Sequence, residues 1–267
     1  MSYTRKPVKR TEVLAYGARM SPADWSWSWE ALAPLLLAAV YLVGACNERH
    51  ALRTASFLGG CMLLVAALVT PLDTLAREYL VWAHLLQNVV LAEWTPALLV
   101  LGLGPWVAGW VARTSVARTL TRPLVALPLW LATYAFWHLP FAYEAALDNR
   151  LLLDLEHLSY VAVGLCLWWP VFQNEPWHLP SGGKAAYLFA AFVLASPLGL
   201  LFALLPSPLY DTYVQAPRLW GLEPLEDQQI GGTLMAVSEA IVFFGLLAYF
   251  FVRFMAEEDA GYSHGDA

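Results

Sequence analysis

The stretch WAHLLQNVVLAEWTPALLVLGLGP, residues 82–105, is an apolar run long enough to cross a bilayer as a helix. His84 and Asn88 are four residues apart and therefore share one face of that helix. Glu93 lies further along the same run, about 13 Å from His84 at ~1.5 Å of rise per residue. Polar groups at such depth are costly without partners, so by default they indicate a functional site.

The composition extends this expectation to the whole chain. Of the 267 residues, 59% are hydrophobic and 13% are charged, whereas soluble domains carry about 25% charged residues. The mean hydropathy is +0.54, and the 13 Trp and 12 Tyr could form belts at both membrane surfaces. These values predict an all-α, multi-pass protein of the lipid bilayer. The net charge of −6 gives no indication of nucleic-acid binding.

The predicted architecture is one bundle of seven transmembrane helices over residues 29–254, without an internal repeat or a second domain. Residues 1–28 are expected to form a flexible tail, because no signal-peptide core follows the basic RKPVKR stretch. The tail ends near WSWSW (25–29), a candidate interface anchor, and residues 255–267 are expected to form an acidic C-terminal tail. The seven apolar segments are 30–46, 55–70, 80–103, 124–138, 151–172, 185–205 and 229–252.

Lys and Arg in the short loops predict the orientation, because they are enriched on the cytoplasmic side. They favour the loops after segments one, three and five and the C-terminal end, although the basic cluster in residues 5–10 argues the other way. We therefore expect the N-terminus outside and the C-terminus in the cytoplasm. Alternation of the helices then brings the start of helix three, the end of helix four and the starts of helices five and seven to one side.

Three histidines fall at that common level: His84, His138 and His157. Neutral imidazole is the commonest metal ligand and suits copper, zinc, iron and nickel alike. Three imidazoles from different helices could converge on one ion. The alternative is that each histidine caps a helix end or bonds a neighbour across the bundle. We favour the metal site.

Carboxylates accompany these histidines. Glu156 and Asp154 lie beside His157, and Asp227 opens helix seven. Each could orient a ligating imidazole or supply a further ligand. Each could equally complement a helix dipole from the first turn. We expect Glu156 to belong to the site, and for Asp154 and Asp227 both interpretations stay open.

Two more carboxylates, Glu93 and Glu239, fall in the middle of helices three and seven, and Met235 shares a face with Glu239. They could form a deeper ion or proton site, or bond to each other as neutral acids. The sequence does not decide between these alternatives.

Several enzyme classes lack support. The chain has no Walker A loop, GxGxxG, GxSxG or HExxH motif. Its three cysteines form no CxxC pair, and its last apolar segment has no lysine for a retinal. A non-enzymatic role is expected, and haem held by histidines stays open.

Three stretches together resemble the polytopic CtaG family of cytochrome c oxidase assembly factors, from about residue 29 to 254. They are TPLDTLAREYLVWAHLLQ (70–87), WHLPFAYEAALDNRLLLDLEHLSYVAVGLCLWWPVF (137–172) and SPLYDTYVQAPRLWGLEPLEDQQIGG (207–232). The resemblance implies that this protein helps to mature a copper centre of a respiratory oxidase, at the outer side of a bacterial inner membrane. The oxidase subunits would be its partners. The family's histidines match His84, His138 and His157, and its aspartate–glutamine pair matches Asp227 and Gln228.

The chain departs from the family pattern in helices three and seven. The family typically carries HxxQHLL, but here Gln87 is followed by Asn88 in place of the second histidine. An amide oxygen is a poor copper ligand compared with imidazole. Glu93 and Glu239 also replace other residues of the family pattern.

The sequence thus predicts an assembly factor that binds copper transiently through His84, His138 and His157, with Asp227 and Glu156 as supporting or fourth ligands. One alternative is a structural accessory subunit of a respiratory complex without metal. Another is a membrane ion- or proton-handling protein that uses Glu93 and Glu239.

Overall fold

The computed structural model describes residues 20–26, 32–44 and 50–265. Most of the predicted N-terminal tail, two tryptophans of WSWSW and the basic cluster at 5–10 lie outside these ranges. In the described part every regular element is a helix. The helices are α1 (Leu32–Gly44), α2 (Ala51–Val69), α3 (Pro71–Glu78), α4 (Val81–Val89), α5 (Thr95–Gly102), α6 (Pro105–Arg113), α7 (Ser115–Leu120), α8 (Pro123–Trp137), α9 (Pro140–Asp148), α10 (Arg150–Phe172), α11 (Ser181–Leu204), α12 (Asp211–Gln215), α13 (Pro224–Glu239) and α14 (Gly245–Gly265).

Two π-helical turns join neighbouring helices into longer rods. Val90–Trp94 connects α4 to α5, and Ala240–Phe244 connects α13 to α14. The first turn contains Glu93, and the second follows directly on Glu239. Single π-helical turns inside α-helices occur frequently at functional sites.

Five helical stretches are long and apolar enough to cross a membrane: Ala51–Val69, Val81–Gly102, Arg150–Phe172, Ser181–Leu204 and Pro224–Ala260. A sixth candidate is α8 with α9, two helices that meet at a bend of 70°. The described part of the first predicted segment is α1, which at 13 residues is shorter than a usual span. The prediction of an all-α membrane protein is confirmed in this coarse form.

The bend between α8 and α9 follows from Pro140. Proline lacks a backbone N–H and disfavours helical geometry in the residue before it. Leu139 accordingly has an extended conformation, with φ −67° and ψ 134°. Helix α8 therefore ends at Trp137, and His138 occupies the corner.

Two adjacent glycines let α13 pack closely against two different helices. A Cβ on Gly231 would lie 2.9 Å from the Cα of Trp82 in α4, and one on Gly232 would lie 2.7 Å from the carbonyl oxygen of Gly199 in α11. Such close contacts between helices use small residues in membranes. The start of α13 is thereby pressed against the start of α4.

The described part of the predicted tail, residues 20–26, is anchored to the bundle. The backbone N–H of Ser26 donates to the Val69 carbonyl at 2.9 Å, and its hydroxyl donates to the Leu68 carbonyl. Thr74 and Tyr79 donate to the carbonyls of Asp24 and Met20. These bonds tie residues 20–26 to the ends of α2 and α3, and the flexible tail over residues 1–28 stays a prediction.

Candidate metal centre

Asp227 fixes the start of the helix that carries His84. Its Oδ2 accepts from the N–H of Val81 and its Oδ1 from the N–H of Trp82, both at 2.9 Å. These are two of the N–H groups that an α-helix leaves without partners at its first turn. Asp227 thus caps α4, a different helix from the one it belongs to, and both of its oxygens are used in doing so.

The hydrogen bonds of His84 determine which ring nitrogen carries the proton. His84 is fully buried, and its Nδ1 lies 3.0 Å from the hydroxyl of Tyr213. That hydroxyl donates its single hydrogen to the carbonyl of Ala76, which can only accept. His84 must therefore donate from Nδ1, which leaves Nε2 as the nitrogen that carries the lone pair whenever the imidazole is neutral. Nε2 has no hydrogen-bond partner among the described residues.

Tyr213 lies on α12, outside the candidate membrane spans. Burial raises the pKa of its phenol well above the ordinary value, so the hydroxyl keeps its proton at neutral pH. The hydroxyl of Tyr143 lies 3.5 Å away, and because the Tyr213 hydrogen is already engaged, Tyr143 is the donor of that bond. Tyr213 therefore donates once and accepts twice.

His138 at the bend is protonated on the same nitrogen. Its Nδ1 lies 2.7 Å from the carbonyl oxygen of Tyr134 and 3.3 Å from the hydroxyl of Tyr160. A carbonyl can only accept, so Nδ1 donates and Nε2 carries the lone pair. The side chain is buried, and Nε2 lacks a hydrogen-bond partner in the part of the chain that the structure describes.

Gln228 positions His138 through a loop. Its Oε1 accepts from the N–H of Leu209 at 2.7 Å, and its Nε2 lies 3.3 Å from the carbonyl of Ser207. Tyr210, the next residue of that loop, donates to the carbonyl of His138 at 2.9 Å. The aspartate–glutamine pair thus supports both histidines, Asp227 through a helix cap and Gln228 through a tyrosine.

Glu156 and Asn88 complete the polar group around His84. Oε1 of Glu156 lies 3.5 Å from Nε2 of His84 and accepts from Nδ2 of Asn88 at 3.2 Å. All three side chains are fully buried. In the neutral imidazole, the lone pair on Nε2 of His84 therefore faces Oε1 of Glu156. A proton or a metal cation between these two atoms would stabilise them.

Tyr143 lies between the two histidines. Its ring is centred 4.5 Å from the ring of His84 and 6.4 Å from that of His138, and it stacks on Tyr210 at 3.7 Å. His84, His138 and Glu156 are near enough to interact electrostatically. These three side chains form one buried cluster with five tyrosines. We call this cluster the histidine site, and its tyrosines are Tyr134, Tyr143, Tyr160, Tyr210 and Tyr213.

His157 points in another direction. Neighbouring residues of a helix are separated by about 100° of rotation, so Glu156 of α10 faces His84 while His157 faces α1 and α2. There His157 and Asp154 line a cavity of about 130 Å³ with Pro34, Leu64 and Leu91. Asp154 also pairs with Arg150 at 2.7 Å.

The arrangement is not a preformed cage of three ligands. Within residues 20–26, 32–44 and 50–265, no three His, Cys, Asp or Glu side chains are grouped so that they could hold a metal ion. The histidine site nevertheless has two imidazole nitrogens with free lone pairs and Oε2 of Glu156 without a hydrogen-bond partner in the described part. Imidazole nitrogens are donors that suit copper as well as zinc, iron and nickel.

Five tyrosines of the site were not singled out from the sequence: Tyr134, Tyr143, Tyr160, Tyr210 and Tyr213. All are buried. Four of them stand in the quoted stretches 137–172 and 207–232, close to His138, His157 or Asp227. Their recurrence beside those polar residues was the available signal.

A family model described as cytochrome c oxidase caa3 assembly factor (Caa3_CtaG) matches residues 37–257. The chain belongs to this family. It is therefore an assembly factor for cytochrome c oxidase, and the resemblance found in the three sequence stretches is confirmed. No curated protein and no solved structure matches the chain.

Proposed function

We propose that this assembly factor delivers copper to cytochrome c oxidase, or helps to insert it, and carries the metal as transient cargo at the histidine site. The observation that supports this most is the pair of Nε2 lone pairs on His84 and His138. Hydrogen bonds from Nδ1 fix both rings in the form that binds metal.

The ligands would have distinct roles. His84 and His138 would bind copper through Nε2, and Glu156 would offer a carboxylate oxygen beside His84. Asp227 would act by positioning α4, because both of its oxygens hold backbone N–H groups. His157 stays a predicted third ligand and would have to approach from the α1 side of α10. Few ligands and an open coordination position suit a cargo that must be released.

The topology that accompanies this function has seven crossings. It requires α8 with α9 to act as one bent span and α1 to cross as a short helix. The loop charges favour an N-terminus outside and a C-terminus in the cytoplasm. The histidine site then lies at the outer side of a bacterial inner membrane, where oxidase subunits would receive the metal.

Copper binding to the purified protein tests this proposal. The wild type loaded with Cu(I) under reducing conditions and then passed through a desalting column should retain about one copper per chain. His84→Ala and His138→Ala should each lose most of it. His178→Ala is the matched control, because His178 is exposed and remote in sequence from the site, and it should retain the wild-type amount. His157→Ala shows whether a third imidazole takes part.

The proposal fails if the wild type retains no copper, or if the double variant His84→Ala/His138→Ala retains as much as the wild type. Fixed co-purification with the oxidase and no copper would favour a structural accessory subunit. A Soret absorbance in the purified protein would instead indicate haem.

A further inference from the structure

Glu93 and Glu239 lie together in the interior of the bundle, and Tyr134 connects them to the histidine site. Both side chains are fully buried and interact electrostatically with each other. One lies in the middle of the span Val81–Gly102 and the other in the span Pro224–Ala260. Two negative charges at this depth would be strongly unfavourable unless a cation or a proton compensated them.

The surroundings provide little compensation. The hydroxyl of Tyr134 donates to Oε1 of Glu239 at 3.4 Å, and the hydroxyl of Ser196 from α11 lies beside the same carboxyl. Both oxygens of Glu93 and Oε2 of Glu239 have no hydrogen-bond partner within the described residues.

The other titratable groups near the pair are tyrosines. Tyr134 comes from α8, and Tyr160 from α10 packs edge-on against it with ring centres 5.9 Å apart. Among the residues that the structure describes, no Lys, Arg or His forms an ion pair with Glu93 or Glu239. The described residues therefore supply no positive charge that would compensate two ionised carboxylates.

We propose that Glu93 and Glu239 form a proton-binding pair, in which the two carboxyl groups are neutral acids at neutral pH. A metal ion fits this ligand set poorly. Calcium and magnesium take six or more oxygen ligands, whereas the pair offers four carboxyl oxygens, one of which already accepts from Tyr134. No third His, Cys, Asp or Glu joins the pair as a possible ligand in the described part of the chain.

Each carboxyl lies at a π-helical turn, and the first turn is braced by a specific contact. The carbonyl of Ala92, inside the turn that contains Glu93, accepts from Nε1 of Trp130 at 3.2 Å. Trp130 in turn stacks on Tyr134, with ring centres 5.1 Å apart. Tyr134 therefore touches both sites, because its hydroxyl binds Glu239 and its carbonyl binds His138.

Infrared spectroscopy of the purified protein tests the proposal. The measurement uses a detergent without ester groups, at neutral pH and without added copper, so that its result is separate from that of the copper experiment. The wild type should show the carbonyl stretch of protonated carboxylic acids. Glu93→Gln and Glu239→Gln should each remove part of that band, and Glu93→Asp should retain it at a shifted frequency. Glu258→Gln is the control, because Glu258 is exposed and lies outside the buried pair, and it should leave the band unchanged.

Tyr134→Phe leaves both acids in place, so it tests whether they are protonated even if the glutamine variants do not fold. Loss of its hydrogen bond should move the Glu239 part of the band to higher frequency. The proposal is overturned if folded wild type shows no acid band at neutral pH, or if the band is the same in both glutamine variants and in Tyr134→Phe. It is also overturned if metal analysis finds a stoichiometric ion that Glu93→Gln removes.

Discussion

The histidine site and the Glu93–Glu239 pair are both fully buried, yet they satisfy their polar groups differently. Around the histidines, nearly every donor has an acceptor: Asp227, Tyr213 and Tyr134 each take a specific hydrogen bond. The side-chain atoms there without a hydrogen-bond partner among the described residues are all possible acceptors, including Nε2 of His84 and of His138. Around the carboxyl pair, three of four oxygens have no partner among the described residues. Under the two proposals, the first pattern would leave imidazole nitrogens available to a metal, whereas the second would require protons.

The largest effect is expected from Asp227→Ala, which breaks the scaffold of the histidine site. It would leave the buried N–H groups of Val81 and Trp82 without acceptors, at about 1–3 kcal/mol for each unsatisfied group. The free energy of unfolding in detergent should fall accordingly, and copper affinity should fall with it. Asp211→Ala is the control, because Asp211 is exposed at the start of α12. Equal stability of the two variants would contradict the capping role.

Tyr213→Phe should weaken copper binding with a smaller loss of stability. The variant removes the acceptor of the His84 Nδ1–H, so that the ring is free to change its tautomer or turn. Loss of such a supporting contact typically lowers metal affinity about 10–100-fold. Competition with a copper chelator measures the change. Tyr143→Phe, which removes only the 3.5 Å bond to Tyr213, should have little effect, and a similar loss in both variants would argue against tautomer control.

Asn88→His sharpens the comparison by restoring the histidine pair expected of the family. The side chain of Asn88 already contacts Glu156 beside His84, so an imidazole there would add a ligand to the site. We expect copper affinity to rise about tenfold, equivalent to ~1.4 kcal/mol. Asn88→Ala should give no gain. An unchanged affinity in Asn88→His would place the copper site away from Glu156.

The smallest effect is expected from Glu93→Gln. A neutral amide resembles a neutral acid in size and polarity, and Glu93 has no hydrogen bond to lose within the described residues. The free energy of unfolding should change by less than about 1 kcal/mol. A loss as large as that of Asp227→Ala would mean that Glu93 is ionised and bound to a cation.

The sequence predicted the helices far better than the site. The segment 80–103 corresponds to the span Val81–Gly102, and 124–138 to a helix that ends at Trp137 before Pro140. Apolar runs and prolines carry this information, because burial in lipid and the missing proline N–H act locally. Helix α9, which follows the bend, was not anticipated.

The site depends on helix rotation and on contacts between distant residues, which apolar runs do not specify. In α10, apolar residues occur on all sides, so the sequence did not show that Glu156 would face His84 while His157 faced α1. The same holds for Asp227, which caps a helix that begins 146 residues earlier in the chain. The sequence likewise contains no periodic pattern that would have predicted the two π-helical turns.

X-ray absorption spectroscopy of the copper-loaded protein tests the central claim most directly, because it reports the atoms bound to the metal. The account predicts scattering from at least two imidazole rings, those of His84 and His138, in the wild type and from one fewer in His138→Ala. Imidazole scattering that persists unchanged in His84→Ala/His138→Ala, or a first shell made of sulfur, would contradict it.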